Sequence, residues 1–190
     1  AMIGTWGRAL AHYDSLKSEN IVALCDINEE HLAEAAKKYP NAKTYVDWRK
    51  CLDQPDLDAV VCSTTDHTHA FVNCWAMRRG LHVYCEKPLA NSVEEARKVR
   101  ELYLANKGKL ATQMGTQMHA TDNFRRTVEL VRSGAIGTVK AVHVWCSRTP
   151  EGGSYLPEAG PAPEHLDWKL WLGPSRDHPY NPGYIGGCLA

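Results

Sequence analysis

The first residues whose types and spacing could do chemistry form a glycine-containing segment near the start of the chain. Gly4-Thr5-Trp6-Gly7 and Ala9 follow a short apolar stretch and overlap a candidate helix over 8–16. They fit the pattern G-x-G-x-x-G/A, whose glycines let backbone N–H groups approach a pyrophosphate. Trp6 takes the place of the second glycine, and Gly7 beside it can supply the room that this exchange removes. The segment predicts a phosphate-binding loop with one departure from the pattern.

An acidic residue follows at the distance that a dinucleotide site requires. Asp26 ends the next apolar run, and an acid about 20 residues after the loop accepts hydrogen bonds from the adenosine ribose hydroxyls. A carboxylate there also repels a 2′-phosphate, so the predicted cofactor is NAD, with NADP less favoured. The alternative role is local: an acid at this place also favours the start of the helix predicted over 28–39.

A third polar group directly follows another strand-like run. Glu86, Lys87 and Pro88 come after the run 82–85. Ligands bind open α/β sheets beyond the carboxyl ends of the strands, so these three residues belong to the predicted binding edge. By themselves they are more typical of a turn with a solvated ion pair.

The elements that must position these groups alternate between strands and helices. Strand-like runs are found at 21–25, 44–46, 57–62, 82–85 and 110–113, and helical patterns at 8–16, 28–39, 48–52, 68–79 and 92–106. Continuous apolar strands separated by helices are typical of a parallel sheet covered on both faces. The sequence therefore predicts a doubly wound α/β domain over residues 1–118.

The pattern changes after residue 118. A helix is predicted over 123–132, and alternation of apolar and polar residues predicts a half-buried strand over 139–147. Residues 149–182 are rich in proline and glycine and are expected to form a long loop. Residues 119–190 are interpreted as the incomplete beginning of an α+β second domain. We expect a chain that is truncated at both ends, poorly stable and inactive alone.

Composition excludes several classes of protein. Lys plus Arg and Asp plus Glu both number 22, so the formal charge is zero, which gives no electrostatic footprint for nucleic acid or an anionic membrane. The apolar runs are too short to span a bilayer. The seven cysteines are odd in number and form no CxxC pair, which favours buried free thiols and a reducing, cytoplasmic location.

Five blocks of sequence, taken in order, resemble the Gfo/Idh/MocA family of glucose–fructose oxidoreductase and inositol dehydrogenase. They are GTWGRALAH at 4–12, ALCD at 23–26, AVVCSTTDHTHA at 59–70, HVYCEKPLANSVEEA at 82–96 and LATQMGTQMHATDNFRRTVELVRSGAIGTV at 110–139. The resemblance implies a Rossmann domain that holds NAD(P), followed by an α+β domain for substrate and oligomer contacts.

The resemblance also implies roles for the residues after the fifth strand. The family's Glu-Lys-Pro lysine lies by the nicotinamide and the substrate hydroxyl, which maps to Lys87 as the catalytic residue. The glutamate lies near the nicotinamide ribose, here Glu86, and the Lys87–Pro88 bond is expected to be cis. An ammonium beside the reacting oxygen stabilises alkoxide character and can relay a proton.

Two more segments carry implied site residues. The loop over 63–69 resembles the family's A-T-P-N-x-x-H loop along the cofactor, so Ser63, Thr64 and His69 are predicted to bind it. His69 is also interpreted as a structural hydrogen-bonding residue. A zinc site of His67 with His69 is disfavoured because no third ligand is near, and no metal is predicted. Gln117 is predicted to contact cofactor or substrate.

Some aromatic and histidine residues stay open at this stage. His119 is interpreted equally well as substrate-facing or solvated. Trp145, Trp168 and Trp171 are expected to be core or interface residues more often than sugar-binding platforms.

The function implied by the resemblance is hydride transfer between nicotinamide and a sugar, cyclitol or related polyol, by a protein that is a homo-oligomer when full length. The family's downstream segment with an acid–base histidine is not found before Ala190 and is expected outside this chain. Two alternatives stay open. An NAD-dependent glycosidase would use transient redox chemistry without accumulating NADH, and a nucleotide-binding scaffold would catalyse nothing.

Overall fold

A computed structural model describes residues 1–117, 119, 121–145 and 155–185 of the chain. The chain divides into two compact units: residues 1–115 together with 156–190, and residues 116–155. Among the described residues, no helix combines the length and the apolar character needed to cross a membrane.

The first unit contains a six-stranded sheet in which all neighbouring strands are parallel. The strands are β1 Met2–Ile3, β2 Ala23–Cys25, β3 Lys43–Tyr45, β4 Ala59–Cys62, β5 His82–Glu86 and β6 Thr112–Gly115. Their order is β3-β2-β1-β4-β5-β6, so the chain proceeds to one side of β1 and then to the other. This confirms the predicted doubly wound α/β fold of Rossmann type.

Helices cover both faces of the sheet. They are α1 Leu10–Tyr13, α2 Glu29–Lys38, α3 Trp48–Leu52, α4 His69–Arg78 and α5 Val93–Ala105. Successive strand residues point to opposite faces, so Ile3 packs in a core with α3, α4 and α5, while Met2 packs with α1 and α2. The helix predicted over 8–16 is shorter than expected: a 3-10 turn at Gly7–Ala9 precedes α1, and α1 ends at Tyr13.

Residues 156–185 pack on the first unit, whereas the sequence analysis assigned 119–190 to a second domain. Leu166 forms an antiparallel bridge with Asn28. The Asp167 N–H donates to the carbonyl oxygen of Ile27 at 3.0 Å. The helix α7, Trp168–Leu172, follows the second unit's α6, Asp122–Arg132, in the chain. Its buried tryptophan Trp171 supplies the apolar surface for this packing, which a count of prolines and glycines does not reveal.

The second unit consists of α6 and the residues around it. The helix predicted over 123–132 is confirmed within one residue at its start. The strand predicted over 139–147 differs: residues 139–145 are exposed and form no strand, and 146–147 lie outside the described residues. A half-buried strand needs a neighbouring strand to satisfy its backbone, and the described part of this unit supplies none.

The described cysteines confirm the interpretation as free, buried thiols. They are Cys25, Cys51, Cys62, Cys74 and Cys85. Cys146 and Cys188 lie outside the described residues.

Candidate functional site

The loops after β1, β2, β4 and β5 meet at the carboxyl edge of the sheet, where the strand order reverses. This edge is the ligand-binding position of open α/β sheets. It brings together the glycine loop, Asp26, the 63–69 loop and Glu86-Lys87-Pro88 of the sequence analysis.

Gly4 is a position where only glycine fits. Its φ is +83°, and a Cβ built there would lie 2.6 Å from the backbone oxygen of Ser63. The loop after β1 therefore runs directly against the loop after β4. Gly7 also has a positive φ of +59°, but a Cβ there would meet open space.

Trp6, the departure from the glycine pattern, adopts ordinary extended backbone with φ −125° and ψ 175°. Its half-exposed indole stacks on the ring of His31 in α2, with centroids 4.7 Å apart and planes 9° apart. The side chain is thus held against α2. Sequence reasoning did not find this contact, which depends on the packing of α2 beside the loop.

Asp26 connects the loops after β1 and β2. Its Oδ2 accepts hydrogen bonds from the Thr5 N–H at 2.8 Å and the Thr5 hydroxyl at 2.9 Å, and its Oδ1 accepts from the Asn28 N–H at 3.0 Å. The N-cap of α2 is Asn28, whose Oδ1 accepts from two first-turn N–H groups. Asp26 is therefore not the helix cap. A carboxylate accepts about four hydrogen bonds, so it has capacity for further donors.

Glu86 is buried at the end of β5 and faces two basic side chains of the glycine-loop segment. Its Oε1 lies 3.1 Å from Arg8 Nε and 2.8 Å from His12 Nε2. The close approach of β6 matters here, since a Cβ on Gly115 would lie 2.7 Å from the same oxygen. Arg8 and His12 were missed in the sequence analysis. Their spacing of one helical turn directly after the glycine loop is the signal that could have found them.

Lys87 is exposed at the same edge, and its peptide bond to Pro88 is cis. The Lys87 N–H donates to the carbonyl oxygen of Gly115 at 3.3 Å. This hydrogen bond holds the backbone of the loop beside β6. The Lys87 ammonium lies at the end of a long, exposed side chain.

His69, the first residue of α4, joins the loops after β4 and β5. Its Nδ1 lies 2.6 Å from the Pro88 carbonyl oxygen and its Nε2 lies 3.0 Å from the Thr64 carbonyl oxygen. These contacts supply the partners for the structural role predicted for His69. Beside it, the Thr68 hydroxyl lies 2.7 Å from the Thr64 hydroxyl, and the Ser63 N–H donates to the Ile3 carbonyl oxygen.

His67 contacts the backbone of α7. Its Nε2 lies 2.7 Å from the carbonyl oxygen of Trp171, and burial lowers the pKa of His67 below its usual value. Trp171 is buried and stacks on Trp168, which confirms both as packing residues. Trp145 differs, since its side chain is largely exposed.

Gln117 and His119 belong to the second unit. The ring of His119 packs against Phe124 at a centroid distance of 4.3 Å. The roles of Gln117 and of the other predicted site residues toward a cofactor stay predictions.

The fold and its edge define a nucleotide-binding protein of the Rossmann class. Residues 1–116 match the Gfo/Idh/MocA family, described as an oxidoreductase family with an NAD-binding Rossmann fold. The chain belongs to this family.

Individual relatives are similar over most of the chain. It is 31% identical over 154 residues to levoglucosan dehydrogenase of Pseudarthrobacter phenanthrenivorans, covering 77% of this chain and 35% of that protein. It is 32% identical over 152 residues to inositol 2-dehydrogenase/D-chiro-inositol 3-dehydrogenase of Lacticaseibacillus casei, covering 75% and 43%. The chain thus spans less than half the length of these relatives.

A solved structure is similar as well. The myo-inositol dehydrogenase of Lactobacillus casei, solved in complex with NAD(H) and myo-inositol, superposes with a TM-score of 0.65 at 30% identity. The match covers 72% of this chain and 41% of that one.

Proposed function

We propose that this chain belongs to an NAD-dependent oxidoreductase that transfers a hydride between nicotinamide and a CH–OH carbon of a sugar, cyclitol or related polyol. The observation that carries the proposal is the meeting of the glycine loop, Asp26 and Lys87 at the edge where the strand order reverses. Family membership and the names of the relatives support the same class of reaction.

The loop residues fit a dinucleotide. Gly4 allows a backbone approach that no other residue permits, and Trp6 is stacked against His31. The Gly4–Gly7 loop would hold the pyrophosphate through backbone N–H groups, and Ser63, Thr64 and His69 would lie along the cofactor. Asp26 would accept the ribose hydroxyls. Its negative charge, held by neutral donors only, favours NAD over NADP because it repels a 2′-phosphate.

The bound nicotinamide supplies the hydride acceptor, and the chain supplies orientation and charge. Glu86, fixed by Arg8 and His12, positions the start of the loop that carries Lys87. The Lys87 ammonium would lie beside the substrate oxygen, stabilise its alkoxide character and hold or relay its proton. Gln117 would contact cofactor or substrate.

Nucleotide choice is tested by titrating the 190-residue chain with NAD and with NADP while following tryptophan fluorescence, with Trp6→Phe identifying the reporter. We expect saturable NAD binding and weaker NADP binding. Asp26→Asn removes the charge but keeps an oxygen acceptor. It should narrow the difference between the affinities for NAD and NADP. Asp14→Asn is the matched control, since that side chain is 81% exposed. A folded chain that binds neither nucleotide would contradict the proposal.

Catalysis is tested on the full-length gene product, because the chain spans less than half of its relatives. Lys87→Met should retain NAD affinity and lose polyol-dependent NADH formation, with Lys98→Met on α5 as the control. Turnover of a glycoside without NADH accumulation would favour the glycosidase alternative.

We also propose that the full-length protein is a cytoplasmic homo-oligomer. Size-exclusion chromatography with light scattering and cell fractionation test these two points separately.

A further inference from the structure

Two buried cysteines lie directly under the candidate site. Cys62 ends β4 and Cys85 lies in β5, and the two residues are Cα partners in the parallel register. Adjacent strands are about 4.8 Å apart, which lies within the Cα separation of disulfides, about 4.4–6.8 Å. Their Sγ atoms and a ring nitrogen of His69 lie within 4.8 Å of one another.

These three groups are also the residue types that bind soft metals, but the contacts of His69 argue for a different use. Both of its ring nitrogens face backbone carbonyl oxygens, which can only accept hydrogen bonds. Both contacts are hydrogen bonds at once only when both nitrogens carry protons. A nitrogen that donates to a carbonyl oxygen offers no lone pair to a metal. The geometry instead leaves the two sulfurs within 4.8 Å of each other.

The surroundings make the two thiols unequal. Burial by itself would raise the pKa of Cys62, but hydrogen bonding from Cys85, the charge of His69 and the contact with Thr64 outweigh it and lower the pKa to about 6. The Thr64 hydroxyl lies 3.4 Å from Cys62 Sγ. Hydrogen bonding to Cys62 and then burial raise the pKa of Cys85. Cys62 is thus the nucleophile and Cys85 its proton-bearing neighbour.

A cavity lies beside Cys85 and extends to residues at the surface. It has a volume of about 280 Å³ and is lined by Cys85, by buried residues such as Val99, and by exposed residues such as Arg100 and Gln113. A molecule as small as hydrogen peroxide can reach Cys85 by this route, and the Cys62 sulfur lies within 4.8 Å of the Cys85 sulfur.

We propose that Cys62 and Cys85 form a reversible, peroxide-driven disulfide beneath the candidate cofactor site. The Cys62 thiolate attacks peroxide, the O–O bond breaks, and with one proton the products are a sulfenic acid and water. The Cys85 thiol then displaces the hydroxyl as a second water and the S–S bond forms. Two electrons pass from the sulfurs to the peroxide.

The test is disulfide mapping on the 190-residue chain. The folded chain is treated with hydrogen peroxide, denatured in excess N-ethylmaleimide, digested and analysed by mass spectrometry. We expect a peptide pair joined through Cys62 and Cys85, lighter by two hydrogens, that dithiothreitol separates. Cys74→Ser should still form the cross-link. Cys85→Ser should stop at a Cys62 sulfenic acid that dimedone traps.

Two results would overturn the proposal. One is a cross-link between Cys25 and Cys51, the other hydrogen-bonded thiol pair of the first unit, in place of Cys62–Cys85. The other is a folded wild-type chain in which both Cys62 and Cys85 remain fully alkylated after peroxide. Neither depends on the variants folding.

A consequence for binding rests on the proposed function. Ser63 directly follows Cys62, and Glu86 directly follows Cys85, so the bond would tie together the starts of two site loops. We expect the oxidised chain to bind NAD more weakly and to recover on reduction. The mapping needs no nucleotide, so failure of the disulfide and failure of NAD binding are separate outcomes.

Discussion

Asp26 and Glu86 are both acids at strand ends that hold the segment after β1, but their carboxylates have different kinds of partner. Asp26 accepts hydrogen bonds from neutral groups, the N–H and hydroxyl of Thr5. Glu86 is buried against two basic side chains, Arg8 and His12. Since neutral donors leave the Asp26 charge uncompensated, it can act on a ligand. The Glu86 carboxylate is already paired with basic side chains, so it acts mainly to hold the fold.

The largest loss of stability is expected at Gly4, where the segment held by both acids begins. Gly4→Ala places a Cβ 2.6 Å from the Ser63 oxygen at a φ of +83°. The left-handed backbone costs about 1–2 kcal/mol, and the overlap adds about 1–3 kcal/mol. Gly80→Ala, with a φ of +77° and open space around it, isolates the backbone cost. Urea unfolding measures both; equal losses would show that the contact with Ser63 can relax.

The next prediction concerns how much Glu86, the second of the two acids, contributes to the free energy of unfolding. Glu86→Ala leaves the Arg8 guanidinium without its counter-charge and His12 without its carboxylate partner. It should lower the free energy of unfolding by about 2–3 kcal/mol, less than for a fully buried pair because Arg8 is partly exposed. The exposed Glu101→Ala should change it by less than about 0.5 kcal/mol. If Glu86→Ala were as mild as Glu101→Ala in urea unfolding, the ion pairs would not hold the fold.

Asp26→Asn should change ligand preference more than stability. One oxygen acceptor remains, so we expect a loss of about 1 kcal/mol in the free energy of unfolding. Removal of the charge should improve NADP affinity relative to NAD by about tenfold. Fluorescence titration of both nucleotides measures the ratio. An unchanged ratio would place the charge of Asp26 away from the ribose.

The last prediction concerns the pH dependence of stability. Because the pKa of Cys62 is lowered from 9.0 to about 6 in the folded chain, its ionisation stabilises the fold fully above the unfolded value and is lost as pH falls through the folded one. The stability difference between wild type and Cys62→Ser should therefore grow from pH 6 to pH 9. Urea midpoints at several pH values measure it. Burial raises the pKa of Cys74, so Cys74→Ser should show no such rise; a flat difference for Cys62 would exclude a thiolate.

Much of the first unit follows from local pattern. The predicted strands 57–62 and 82–85 correspond to β4 and β5, and the helix predicted over 48–52 has the bounds of α3. Apolar runs and helical spacing report which residues face a core, so they locate buried elements. The predicted strand over 139–147 failed over its described part because alternation reports a face without reporting a partner.

The features of the candidate site also divide into those that local sequence signals predict and those that they do not. Gly4, Asp26 and Lys87 could be named from the sequence because loop glycines, strand-end acids and the Glu-Lys-Pro block are local signals. Arg8 with Glu86, Trp6 with His31, and Cys62 with Cys85 could not, because each pair joins elements far apart in the chain.

By itself, the sequence determined that alternating strands and helices form a parallel sheet, and that a glycine loop and an acid follow its first two strands. Only the tertiary structure decided which strand ends meet, that 156–185 returns to the first unit, and that two thiols and a histidine share one buried site. The physical reason is that propensity and periodicity act over a few residues. Side-chain contacts depend on strand order and register, which the whole packed sheet sets.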